Sequence, residues 1–150
     1  MRPSHETPRR TGVVYRTDVE GVAPEQLRGF FVGWPAPPTP ETHLRILRAA
    51  SECVVAVDTS SGNVIGFVTA LTDGIHTAFI PHLEVLPVYQ GRGVGSELLG
   101  RMLERLAGLY AIDLVADDDL EPFYRRFGMR RVGAMVIRDY AAQAGRPESR

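Results

Sequence analysis

The sequence has a single cysteine, Cys53. An internal disulfide is therefore impossible, and a cysteine-based metal site has no ligands to draw on. No apolar run approaches the ~18 residues of a membrane span. The first ten residues, MRPSHETPRR, lack the apolar core of a signal peptide. Neither charge sign is in excess: 17 basic residues face 18 acidic ones, for a net charge of -1. That balance argues against a general nucleic-acid or anionic-membrane surface and leaves only a local basic patch open. No internal repeat is present, and no His, Asp and Glu cluster has metal-ligand spacing. A cytoplasmic protein fits these absences.

What is present suits one globular domain. The chain has 150 residues, 44% hydrophobic and 23% charged, enough for a sizeable core. Residues 1–11 and 142–150 are polar and read as flexible tails around a core of about 13–140. VVYRTDV (13–19) reads as a strand. APEQLRGFFVGW (23–34) spaces Leu27, Phe30, Phe31 and Trp34 near helical period, and PAPPTP (35–40) ends that helix. Thr39 is placed to cap a second helix, PETHLRILRAASE, with Pro40 at its first position. CVVAVDTS (53–60) and VIGFVTALT (64–72) read as hairpin strands around SSGN, with the Cys53 thiol buried. HTAFIPHLEVLP (76–87) reads as a long strand with a bulge at Pro81, which has no N–H to donate. From Val94 the period becomes helical, with Leu98, Leu99, Met102 and Leu106 on one face. AIDLVA (111–116) is a short strand, LEPFYRRFG (120–128) a short helix closed by Gly128, and MRRVGAMVIRDY (129–140) a final strand. The lone His5, His43 and His76 read as surface residues.

VYQGRGVGSELL (88–99) puts Gly91, Gly93 and Gly95 immediately before a helix. A helix N-terminus carries unpaired N–H groups and a positive dipole end. Glycines ahead of it let backbone approach a ligand closely, which makes an anion cradle suited to phosphate. Arg92 adds a side-chain charge. Two common nucleotide motifs fail here. Gly95 is followed by Ser96-Glu97, without the Lys of a P-loop, and no register completes a G-x-G-x-x-G fingerprint.

LEVLPVYQGRGVGSELL resembles the acetyl-CoA loop of the GNAT superfamily of N-acetyltransferases. The family signature, Gln/Arg-x-x-Gly-x-Gly/Ala, stands here as Gln90-Gly91-Arg92-Gly93-Val94-Gly95, after Val85-Leu86-Pro87. PFYRRFGM (122–129) resembles the family's second landmark, a helix with Phe-Tyr followed by Gly. The resemblance implies a mixed α/β fold: a mostly antiparallel sheet with one parallel splayed pair and about four helices. It implies acetyl-CoA as cosubstrate and no metal. Val85 and Leu86 would then offer backbone groups to the pantetheine arm, and the amides from Gln90 to Ser96 would hold the pyrophosphate. A homodimer through the last strands follows by the same analogy.

Direct acetyl transfer to an amine needs a neutral amine, a polarised thioester carbonyl and a proton for the departing thiolate. The resemblance puts Tyr124 at the family tyrosine, as that proton donor. His82 and Glu84 share one strand face and could relay the amine proton, although the family's usual base positions fall on Phe79 or Pro81; a water chain is the alternative. Asp117, Asp118 and Asp119 could attract a cationic amine or simply cap a turn. Phe30, Phe31 and Trp34 lie where the family varies its acceptor pocket, although an aromatic trio at helical spacing is more often plain core. The reading is an N-acetyltransferase for a small primary amine. Protein N-termini or lysines, and a catalytically silent acetyl-CoA-binding module, are its alternatives.

Overall fold

Three apolar runs separated by short turns make the middle of a five-stranded sheet. The computed structural model describes residues 12–148. Its strands are β1 (Val13–Arg16), β2 (Glu52–Asp58), β3 (Val64–Thr72), β4 (Thr77–Val85) and β5 (Ala111–Asp113), in spatial order 1-2-3-4-5. The first four pair antiparallel; β4 and β5 pair parallel. The α-helices are α1 (Pro40–Ala49), α2 (Val94–Arg105) and α3 (Glu121–Arg125). Three helices therefore stand where about four are expected, joined by short 3-10 turns. Among the described residues no helix is long and apolar enough to cross a membrane.

β2 and β3 are buried along almost their whole length because both sheet faces are covered. Val54 and Ala56 face α2, where Leu98, Leu99 and Met102 are fully enclosed. Cys53 and Val55 face the other layer, built from Leu27, Phe30, Phe31 and α1 residues Leu44 and Leu47. Alternating side chains thus feed two cores. The Cys53 thiol is buried as expected, and burial pushes its pKa up. α1 begins as its sequence implies: the Thr42 N–H donates to Thr39 Oγ1 at 3.2 Å, with Pro40 in the first turn. The bulge expected at Pro81 is present. Thr69 faces His82 and Leu71 faces Phe79, so β4 carries an extra residue between them.

Two expectations are corrected. The helix read over 23–34 is a single 3-10 turn, Pro24–Leu27. Beyond it Gly29, Phe31 and Gly33 have φ of 93°, 61° and 81°, and three left-handed residues in five cannot continue a right-handed helix. The strand read over 129–140 pairs with nothing in the sheet among the described residues. After it Gln143 Oε1 accepts from the Ala36 N–H at 2.9 Å, and Arg45 donates to the Arg146 carbonyl at 3.0 Å. Residues 1–11, including His5, lie outside the described residues.

His43 is also corrected, from surface to core. It is 1% exposed, and neither ring nitrogen has a hydrogen-bond partner. Phe30, Phe31 and Phe67 surround it, with ring centroids at 5.1, 4.9 and 4.3 Å. Burial, with help from His82, pushes its pKa down to about 4. A depressed histidine pKa favours the fold while the ring stays neutral. That stabilisation is full above the unfolded value and is lost as pH falls from about 6.5 towards 4, by on the order of 3 kcal/mol. His43→Leu also removes two unpaired polar atoms. Urea denaturation from pH 7 to 4 is expected to show a shallower loss of stability for His43→Leu than for the parent; parallel curves would contradict the assignment.

Candidate active site

β4 and β5 are hydrogen-bonded only from Thr77 to Phe79 and from Ala111 to Asp113. β4 runs on to Val85 while the chain after β5 turns away, so a gap opens beyond Phe79. Two cavities occupy this side of the molecule. One, of about 640 Å³, lies between Pro81–Glu84 and Leu114–Asp117 and reaches Tyr124. The other, of about 440 Å³, lies over the glycine turn and the start of α2. Gln90 lines both.

The second cavity is shaped for an anion. Gly91 and Gly93 have φ of 76° and 82°, which L side chains avoid. The first helical bond of α2 runs from the Glu97 N–H to the Gly93 carbonyl at 3.0 Å. The N–H groups of Val94, Gly95 and Ser96 are left over at the dipole's positive end. Val85 and Phe123 form the floor. Arg126 also lines this cavity and reaches Ser96 Oγ at 3.4 Å. The sequence reading missed Arg126; a cation two residues beyond Tyr124 is the available signal. Arg92 lies differently, over the Tyr89 ring at 5.7 Å. Tyr89 latches the turn to β2 by donating to Asp58 Oδ2 at 2.5 Å, which with Ser60 holds the Asp58 carboxyl down to about 2.

The strand end is more occupied than expected. The Leu86 N–H donates to the Ile65 carbonyl and its own carbonyl accepts from Tyr89, so the N–H is already paired. The Val85 carbonyl accepts from the Gln90 side chain at 2.9 Å.

The first cavity gathers Tyr124, His82, Glu84, Asp117 and Trp34. Burial raises the Tyr124 pKa, so its hydroxyl keeps its proton. Burial lowers that of His82, so its ring is neutral; Nδ1 lies 3.4 Å from Thr69 Oγ1. Glu84 does not pair with His82. Its carboxylate accepts the Phe31 N–H at 2.8 and 3.0 Å and the Val32 N–H at 3.4 Å. Burial raises its pKa against these bonds. Glu84 therefore clasps the strained loop that carries Phe31 and Trp34, whose rings lie 4.9 Å apart on the cavity wall. Phe30 is core, not cavity wall. Asp118 also lies outside the cavity, paired with Arg131 at 2.8 Å.

Known proteins resemble this chain in sequence and fold. Residues 19–129 match the Acetyltransferase (GNAT) family. The crystal structure of a candidate acetyltransferase from Deinococcus radiodurans superposes with a TM-score of 0.88 at 52% identity, covering 91% of this chain and 94% of that one. "Uncharacterized N-acetyltransferase ycf52" of Porphyra purpurea is 28% identical over 102 residues, which is 65% of this chain and 58% of that protein. "GCN5-related N-acetyltransferase 3, chloroplastic" of Arabidopsis thaliana is 33% identical over 87 residues, 55% of this chain and 37% of that protein. The chain thus spans 58% and 37% of the lengths of these two curated relatives. With the family matched over most of its length and the splayed strands, glycine turn and Tyr124 helix in place, the chain belongs to the acetyltransferase (GNAT) family.

Proposed function

We propose that the protein moves the acetyl group of acetyl-CoA to the primary amine of a small molecule, in the cytoplasm. The observation that carries this reading is that the two cavities are neighbours, with Gln90 in the lining of both. A seat of unpaired amides lies beside a cleft that Tyr124 lines with a protonated hydroxyl. The residues present fit the coenzyme: free N–H groups of Val94, Gly95 and Ser96, with the Arg126 cation beside them, suit a diphosphate.

When bound, acetyl-CoA supplies a thioester whose C–S bond breaks as the N–C bond forms. The chain's own groups handle the protons. A lysine-like amine of pKa ~10.4 needs roughly 4–5 kcal/mol to be neutral at pH 7. His82, neutral and tethered through Nδ1 to Thr69, is the group we assign to accept its proton. Tyr124 is assigned to give its proton to the departing thiolate. Glu84 is a positioning residue: its oxygens are spent on the Phe31 and Val32 amides, so it shapes the aromatic wall against which the acceptor packs.

The test is thiol release from acetyl-CoA across a broad panel of small amines. Amine-dependent release is expected; coenzyme binding without it, by calorimetry on the same protein, would favour a silent binding module. Tyr124→Phe is expected to lower kcat about 10²–10⁴-fold while calorimetry still shows coenzyme uptake. Because burial lowers the His82 pKa, the kcat profile should lose activity only as pH falls below 6.5. His82→Gln should remove that acid limb, and an unchanged limb would exclude His82 as the base. Glu84→Ala removes two charge-assisted bonds and is expected to raise the amine KM by roughly tenfold or more. The midpoint of the acid limb should stay fixed in that variant; a moved midpoint would make Glu84 part of the proton path instead.

A further inference from the structure

Much of the lining of the larger cavity is apolar, Phe31 and Trp34 included. Tyr124 aside, four of its lining side chains can carry charge: His82, Glu84, Asp117 and Arg138. Two of the four are already accounted for. Burial keeps the His82 ring neutral, and the Glu84 oxygens accept from the Phe31 and Val32 amides. Asp117 and Arg138 remain, one of each sign. Among the described residues neither has an ion-pair partner, and they do not pair with each other. The Asp117 carboxylate does not cap the turn that follows it. The Arg138 guanidinium reaches only the carbonyl of its neighbour Ile137, at 3.4 Å.

Arg138 is held beside the cleft by the segment that follows it. Asp139 Oδ1 accepts from the Ala141 N–H at 3.1 Å, and Gln143 Oε1 accepts from the Ala36 N–H at 2.9 Å. The segment is thereby fastened to the loop that carries Trp34. Asp117 comes from a different part of the chain, just after β5. Two opposite charges from separate segments therefore line one apolar cleft and leave each other free. Small-molecule sites have this character: apolar walls with a few placed polar groups that fix orientation. A guanidinium offers a rigid fork of N–H donors that matches a carboxylate or a phosphate with two parallel bonds. A carboxylate suits the ammonium form in which a primary amine arrives from water. A polyamine has nothing to offer Arg138 and is repelled by it.

We propose that the acceptor is amphoteric: a small primary amine that also carries an anionic oxygen group, carboxylate or phosphate, on an apolar body. Arg138 binds the anionic group, and Asp117 draws in the ammonium before its proton is lost. The proposal rests on this cleft being the acceptor site of the reading above, and it narrows that reading to one class of amine.

Trp34 is the chain's one tryptophan and lines the cleft, so its fluorescence reports occupancy without any turnover. The protein is saturated with free coenzyme A and titrated with matched probes at about pH 6, where the amines are protonated. Leucine and phenylalanine are each set against their amides, and 2-aminoethyl phosphate against ethanolamine. In at least one set the anionic member is expected to bind about tenfold more tightly than its neutral partner. The set that responds tells carboxylate from phosphate. Arg138→Gln should bring that ratio close to one, and Arg138→Lys should restore part of it. Asp117→Asn should weaken both members of the set alike. Equal or tighter binding of the neutral member in every set overturns the proposal. So does a fluorescence response to none of the anionic probes, or a ratio indifferent to Arg138→Gln. Thiol release from acetyl-CoA with the same probes separates the two readings. Anionic amines bound but never acetylated would sink the transfer and leave the ligand class; uncharged amines acetylated in preference would do the reverse.

Discussion

The pairing of β4 with β5 stops after three residues, and the rest of the site follows from that stop. Pro81 has no N–H, and the extra residue beside it strengthens the local twist of β4. The strand therefore leaves its parallel neighbour at the level of Phe79, and between Pro81 and Val85 the edge of β4 turned away from β3 faces open space rather than a ladder. The crossover from β4 to β5 must then pass over one sheet face through α2. That route brings the N-terminus of α2 to the carboxyl end of β4, where α/β sheets place their ligands. Gap and anion seat are adjacent because one connection builds both.

The opposite wall depends on a balance of comparable terms. Phe31 holds a left-handed conformation at φ 61°, which costs a non-glycine residue on the order of 1–3 kcal/mol. A charge-assisted bond from a backbone amide contributes about 1.5–3 kcal/mol. Glu84 accepts from two amides of this loop, so the clasp is large enough to offset the strain. The bonds that a helix would draw from these amides go to the carboxylate instead. The same clasp holds Phe31 on the cavity wall, where its ring lies 4.9 Å from that of Trp34.

Local chemistry was legible in the residues, and long-range partnership was not. The glycine turn, the Thr39 cap, the Pro81 bulge and the position of Tyr124 each depend on a few neighbouring residues whose backbone demands are strong. The segment 23–34 has helical spacing, yet its outcome was decided by Glu84, more than fifty residues away. His43 sits on an otherwise ordinary helix, and only the packing of three phenylalanines over it reveals burial. MRRVGAMVIRDY has the composition of a strand, but a strand needs a paired edge, and among the described residues this segment has none. Arg126 escaped attention because its role depends on how α3 docks beside α2.

The same burial that isolates the two histidines bears on the acceptor. Desolvation lowers the pKa of His82 and drives that of His43 down to about 4. A primary amine held among Phe31, Trp34 and Phe67 would meet the same low-dielectric surroundings, which disfavour its ammonium form. Part of the cost of deprotonation would then be met when the amine leaves water, which lowers the demand on any proton acceptor. The chain itself adds no lysine amine that could compete as an acceptor: all 17 of its Lys and Arg positions are arginine. Guanidinium stays charged at any accessible pH, and so has no lone pair free to attack. The arginines around the site can hold anions without offering a neutral amine of their own.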